Sequence, residues 1–136
     1  MKKQNKGDEV GKDFKSKFLS DAEVMKEQLD SVSPTMCLAK WKQVSLHLTT
    51  GKTNSCYHPP LHDIDVKPLT FHPGALHNTA QKKQARKQML EGQRPDECSY
   101  CWNIEDEGKL SDRHYRSGEP WAAESFKEIV DAPWDQ

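Results

Sequence analysis

Four cysteines are the residues of this 136-residue chain whose type and spacing can do chemistry. Cys98 and Cys101 form a CxxC step in "DECSYCWNIED". Two residues between thiolates let both sulfurs reach one metal from a single tight turn, with backbone N–H groups aimed at them. Redox pairs of the thioredoxin kind share that spacing but sit at a strand-to-helix step within a βαβ unit, which this stretch lacks. Cys37 and Cys56 bracket the run "CLAKWKQVSLHLTTGKTNSC". That run reads as a β-hairpin, and antiparallel pairing brings its two ends together. A hairpin mouth plus a CxxC turn therefore predicts four sulfurs around one point.

The energetics favour that arrangement. Closing the 41 residues between Cys56 and Cys98 has a length-dependent entropy cost of roughly 3 kcal/mol. A structural metal held by thiolates returns on the order of 10 kcal/mol at neutral pH. The competing reading is four unrelated buried or free cysteines.

The elements that must position these sulfurs follow from local pattern. Residues 1–18 are charged and Gly-interrupted and are expected to form a polar tail. An N-terminal helix is expected within 19–33, with Ser20 and Glu23 as a capping box and Val24, Met25 and Leu29 as its apolar stripe. Val44, Leu46 and Leu48 alternate with polar residues, the period of a half-buried strand. Gly51 in "TTGKTN" can supply the positive φ of the turn, and "TNSCY" returns. Residues 57–78 hold four prolines and no period, so they are expected as an extended loop. A helix runs from Asn78 as cap to about Glu91, stopped by Gly92 and Pro95. Its Lys82, Lys83, Arg86 and Lys87 form a basic face that is read as solvated, with a phosphate or cofactor contact as the alternative. Ser111 caps a short helix over "SDRHYRS", and "AAESFKEIVD" is a last helix. The resulting fold class is α+β: a small two-stranded antiparallel hairpin with several short helices around a four-cysteine metal site.

Composition explains why such a chain needs a staple. It is 34% hydrophobic and 30% charged, with a mean hydropathy of -0.96. Globular domains average roughly 45–50% apolar residues, so the buried area available to offset chain entropy is small. The net charge of -1 gives no steering towards nucleic acid or an anionic membrane. The lysines at the start have no apolar segment behind them, as a signal peptide requires. No run approaches the roughly 18 apolar residues of a membrane span. The expected compartment is the cytoplasm, where thiols stay reduced and four cysteines point to metal or redox chemistry.

The metal is argued from spacing. Zinc sites with four cysteine ligands usually pair two CxxC knuckles. Here Cys37 and Cys56 have 18 residues between them, and such an irregular set suits a larger iron–sulfur cluster. Cys37, Gly51 and Cys56 together form a C-x13-G-x4-C pattern, which resembles the twitch and SPASM auxiliary-cluster modules of radical SAM enzymes. Trp41, "CSYCWNIEDEG" and "SDR" are also similar to the twitch pattern. The resemblance covers about residues 34–117. It implies that Cys37, Cys56, Cys98 and Cys101 ligate an auxiliary [4Fe–4S] cluster, for electron transfer or substrate positioning, and that Gly51 is the hairpin-turn residue.

A radical SAM core also needs a C-x3-C-x2-C triplet, and none occurs here. In some radical SAM proteins of the twitch type, phage-encoded ones among them, a cysteine hairpin precedes the core. The resemblance thus implies an N-terminal portion, with residues 118–136 as a C-terminal helix and a truncated linker. S-adenosylmethionine would bind only in a following core domain. That core, in cis or trans, is the implied partner, and the substrate, a peptide or a small molecule, is not specified. The alternative is a structural zinc-binding interaction module, whose basic helix would meet a nucleic acid or protein partner; the near-neutral charge counts against nucleic acid.

Other side chains carry less. His58 or His62 could replace a cysteine as ligand, while His47, His72, His77 and His114 are expected in exposed, loop or helix-edge settings. Trp41, Tyr57, Tyr100 and Trp102 are expected as a hydrophobic shell around the metal, with substrate stacking as the alternative. Glu105, Asp106 and Glu107 are expected to be solvated, and no carboxylate pair or nucleophile–base arrangement points to catalysis.

Overall fold

The computed structural model describes residues 6–136. Its first element is one long helix, α1 (Lys6–Val32). Most of the expected polar tail is therefore helical backbone, and residues 1–5 lie outside the described part. Gly7 and Gly11 each weaken a helix by about 1 kcal/mol relative to Ala, which is why the segment did not read as one. The second half of α1 is held by burial. Ala22, Met25 and Leu29 recur at intervals of three and four and are all buried. Val24, expected in that stripe, is 53% exposed, and Ser20 sits inside the helix rather than capping it.

The chain then makes a one-turn helix, α2 (Ala39–Lys42), and the hairpin β1 (Ser45–His47) and β2 (Lys52–Asn54). Ser45 pairs with Asn54 and His47 with Lys52. Gly51 takes φ +66 at the turn, as its sequence position predicts. A third strand, β3 (His62–Asp63), adds to β2, giving a three-stranded antiparallel sheet of order β1-β2-β3 where two strands were expected. Beyond it, two 3-10 turns occupy the proline-rich stretch. The alternation of Val44, Leu46 and Leu48 does not mark a buried face: all three are exposed. The strand is only three residues long and lies at the sheet edge, and the buried side chains come from β2 instead, Thr53 and Asn54.

α3 (Ala80–Leu90) is capped by Thr79, whose hydroxyl accepts from the Lys82 N–H, one residue after the expected cap. Its basic face is solvated only in part: Lys87 is exposed and Lys83 half-buried. Lys82 and Arg86 are buried; Lys82 donates to Thr53 Oγ1 at 2.7 Å and the His77 carbonyl at 2.9 Å, and Arg86 donates to the Trp134 carbonyl and Asn78 Oδ1. These buried cations thus tie the sheet and the 133–136 segment to α3.

A 3-10 turn (Asp96–Cys98) runs straight into α4 (Ser99–Asp106), so the CxxC step bridges a turn and a helix start. α5 (Asp112–Ser117) begins at Ser111 with a complete capping box, His114 supplying its second half. The expected last helix is two: α6 (Pro120–Ala123) and α7 (Phe126–Asp131), separated by Glu124 and Ser125. α1 crosses α5 closely at Gly118, where an added Cβ would stand 3.2 Å from the Asp21 carbonyl oxygen.

Two apolar clusters result. Met25, Leu29, Met36, Leu38, Ala122 and Ile129 form one between α1 and the C-terminal helices. Cys37, Ala39, Cys56, Met89, Cys98, Cys101 and Trp102 form the other, and Trp41 packs against both.

Candidate metal centre

Three separated parts of the chain deliver the four cysteines to one place. Cys37 precedes α2, so the Ala39 and Lys40 N–H groups of that first turn point at its sulfur. Cys56 follows β2 and takes φ +63, the one non-glycine positive φ among the described residues. Such a conformation is uncommon outside glycine and persists only when the surroundings impose it. Here the Cys56 N–H donates to the Gln43 carbonyl at 3.3 Å, closing the hairpin mouth beyond the strands. Cys98 ends the 3-10 turn and Cys101 lies in the first turn of α4.

All four are buried and unpaired as disulfides. They line one cavity together with Ala39, Lys40, Met89 and Trp102 inside and His58 and Pro59 beside Cys56. The cavity measures ≈ 20 Å³, room for about one water-sized body. Among the described residues, no group of three or more His, Cys, Asp or Glu side chains stands as a set that could hold a single metal ion. The four thiols wall a cavity; they do not meet at a point.

The electrostatics are those of thiols taken out of water. Burial pushes Cys98 up to about 12, and Cys101 up to about 11. Burial, then the neighbouring Cys56, raises Cys37. Opposing groups sit close by. The Lys40 ammonium works against the rise at Cys98 and Cys37, and the Arg113 backbone N–H and the Ser111 hydroxyl do so at Cys101. Ser117 Oγ lies 3.9 Å from Cys37 Sγ. Such donors stabilise negative charge on sulfur, the role of outer-shell groups at a thiolate site.

Buried ion pairs fix these donors. Lys40, almost wholly buried, donates to Glu97 Oε1 at 2.9 Å and to the Ser55 carbonyl at 3.1 Å. Arg113 grips Glu105 through two bonds, at 3.1 and 2.7 Å, and donates to the Met36 carbonyl at 2.8 Å. Glu105, expected to be solvated, is thus the acceptor of a bidentate guanidinium pair, and Ser111 Oγ also donates to it. His114, expected at a helix edge, is fully buried. Its Nδ1 accepts from the Ser111 N–H at 3.0 Å. Burial and then the Arg113 charge lower its pKa to about 4, so the ring is neutral at pH 7.

The histidines proposed as ligands part company. His58 lines the cysteine cavity, but its Nε2 is bonded to Asp112 Oδ2 at 2.5 Å. His62 bonds Thr79 Oγ1 and faces a different groove, beside Lys52 and Asp63. Of the expected aromatic shell, Trp102 is buried with its indole N–H on the Pro95 carbonyl, whereas Tyr57 and Tyr100 are each 49% exposed. Sequence reasoning gave no role to Lys40 or Glu97, and it quoted Asp112 and Arg113 only as part of "SDR" without a role. Lys40 left a signal there, lying three residues after Cys37 in the turn that follows it.

No helix among the described residues is long and apolar enough to cross a membrane. No family model, curated protein or solved structure matches the chain.

Proposed function

We propose that the chain is an iron–sulfur-binding module, with Cys37, Cys56, Cys98 and Cys101 as the ligands of a [4Fe–4S] cluster, of the kind that serves a radical SAM protein as an auxiliary centre. The observation that carries this reading is that four cysteines from three parts of the chain line one buried cavity beside the Lys40 ammonium. What supports it further is the chemistry of the lining: four buried thiols, an apolar wall of Met89, Ala39 and Trp102, and a cation that would face the charge of bound thiolates; the sulfurs would have to move to meet a cubane. When bound, the cluster supplies one-electron chemistry. The residues of this chain hold it, shield it and set its charge environment. A radical SAM core remains the proposed partner, and S-adenosylmethionine would belong to that core.

A structural zinc ion is the second reading, and one observation favours it: a cavity of ≈ 20 Å³ matches a single ion more closely than a cubane. Under that reading the chain is a stapled interaction module.

Metal and sulfide analysis of protein purified without oxygen separates the two. The expected result is about four irons and four sulfides per chain, both lost in a Cys98→Ala, Cys101→Ala double variant. One zinc without sulfide would replace the first reading by the second. Protein free of metal in every preparation would sink both.

A further inference from the structure

The two edges of the sheet are guarded unequally. β3 is two residues long, follows Pro59 and Pro60, and ends in Asp63, whose side chain is 82% exposed and paired with Lys52. Short length, proline and charge are the usual means by which an edge strand avoids pairing with another chain. β1 is short but has neither of the other two. From Gln43 to Gly51 the chain carries no Lys, Arg, Asp, Glu or Pro, and Val44, Leu46 and Leu48 are all exposed.

The backbone along this edge is open. The Gln43 carbonyl accepts from the Cys56 N–H, the Ser45 carbonyl from the Thr53 hydroxyl at 2.6 Å, and the His47 carbonyl from the Thr50 N–H at 3.1 Å. All three carbonyls turn into the hairpin. Across a trans peptide the next N–H points the opposite way, so the N–H groups of Val44, Leu46 and Leu48 turn outward. The alternation of an antiparallel ladder sends the Val44 and Leu46 carbonyls the same way. The three side chains share the face on which Thr53, the pair of Leu46, is buried against Lys82 of α3. An apolar row thus continues a covered face beyond its cover, beside donors and acceptors that no third strand meets on that side.

We propose that β1 is a homodimer interface: two copies of this chain pair β1 with β1 antiparallel about a two-fold axis at Leu46, joining two three-stranded sheets into one of six. The row is its own complement. In that register Leu46 meets the partner's Leu46, and Val44 meets the partner's Leu48. The Leu46 and Leu48 N–H groups then reach the carbonyls of the partner's Leu46 and the partner's Val44. Lys42 falls opposite the partner's Thr50, so no like charges face each other across the axis. Among the described strands only β1 offers such a row, since β2 reads Lys-Thr-Asn and β3 His-Asp. A contact of this isologous kind closes on itself, and the assembly then ends at the two guarded β3 edges. A standard stable interface buries roughly 800 Å² per partner. One short strand edge with three part-exposed side chains buries less, so the dimer exchanges with monomer, at a dissociation constant on the order of 10–100 μM. The interface is independent of what the cysteines hold.

The test is sedimentation equilibrium of the full chain, its thiols kept reduced, from about 1 μM to about 1 mM, beside Leu46→Lys and Val24→Lys. Leu46 is 39% exposed, so a lysine there reaches water in the monomer but meets a second lysine across the two-fold axis. Val24, exposed on α1, is the control. The natural chain and Val24→Lys should pass from monomer to dimer over that range, and Leu46→Lys should associate more than tenfold more weakly. Amide hydrogen exchange on the natural chain gives a second readout that needs no variant: the Leu46 and Leu48 N–H groups should exchange severalfold more slowly in the dimer than in dilute monomer. A natural chain still monomeric at about 1 mM would overturn the proposal. So would a dimer untouched by Leu46→Lys, a dimer without slowed exchange at Leu46, or growth beyond two copies.

Discussion

Between α1 and the C-terminal helices, Met25, Leu29, Met36 and Leu38 fill their space with hydrocarbon and sulfur of methionine alone. On the hairpin side, the space is walled by four cysteine thiols and ringed by Lys40–Glu97, Arg113–Glu105 and His58–Asp112 pairs. The first region needs nothing but burial, at roughly 25 cal/mol for each Å² of apolar surface removed from water. The second gives up apolar volume for groups that cost free energy to bury and regain it only when paired. Under the proposed reading, those charges face the group that the cysteines hold. Trp41, packed against both, is the seam.

The largest effect should come from damaging the hydrocarbon side. Leu29 is fully buried, so Leu29→Ala should destabilise the chain by about 2–5 kcal/mol, read from the denaturant midpoint. If the two regions are separate devices and the proposed cluster is present, the iron bound per folded molecule stays the same. Loss of iron in folded Leu29→Ala protein would show that the cysteine region borrows its shape from α1.

A smaller, pH-dependent effect belongs to the charged side. His114 is held neutral, its pKa lowered to about 4, facing Arg113, Glu105, Lys26 and Asp30. An unfolded histidine titrates near 6.5. Between those values the unfolded chain binds more protons than the folded one, so this contribution is complete above about pH 6.5 and is lost as pH falls towards 4. Its size is at most about 3 kcal/mol. Urea midpoints between pH 7 and 4.5 should therefore fall less steeply for His114→Gln than for the natural chain. An equal slope would assign the acid sensitivity to the carboxylates.

These contrasts also mark what was legible in the amino-acid order. Gly51, the cap at Ser111 and the stop at Gly92 were legible because each needs one residue type at one backbone position. That the four cysteines come near one another was legible, for thiols at a hairpin mouth and a CxxC step are chemically conspicuous; their convergence on one point was not, since they wall a cavity and form no metal-holding group among the described residues. The charged partners were not. Lys82 and Arg86 share a face with Lys83 and Lys87, and nothing local says that Lys82 meets the Thr53 hydroxyl of β2 and Arg86 the carbonyl of residue 134. Glu105 looks no different from Asp106 until Arg113, eight residues on, folds back to it. Alternation misled at Val44, Leu46 and Leu48, since period two reports a strand and the sheet's order decides which face is covered.

The smallest expected effect tests whether the hairpin merely carries its cysteines or sets their positions. Gly51 has φ +66, and a Cβ added there meets nothing within 4 Å. Gly51→Ala therefore suffers only the left-handed penalty of an L-residue, about 1–2 kcal/mol. Its N–H bonds the Leu48 carbonyl and its carbonyl accepts from Ile64, so the turn is tied to β3 and has little freedom to change type. Five residues on, Cys56 bears a similar φ, +63, without glycine's freedom. If surroundings hold that conformation, as the Gln43–Cys56 hydrogen bond indicates, relaxing the far end of the hairpin should leave it untouched. Gly51→Ala should then lower the denaturant midpoint slightly and, under the proposed iron–sulfur reading, bind as much iron as the natural chain. A fall in iron out of proportion to the lost stability would mean that the turn sets the register at the mouth, and that the hairpin, more than the ion pairs around it, places the sulfurs.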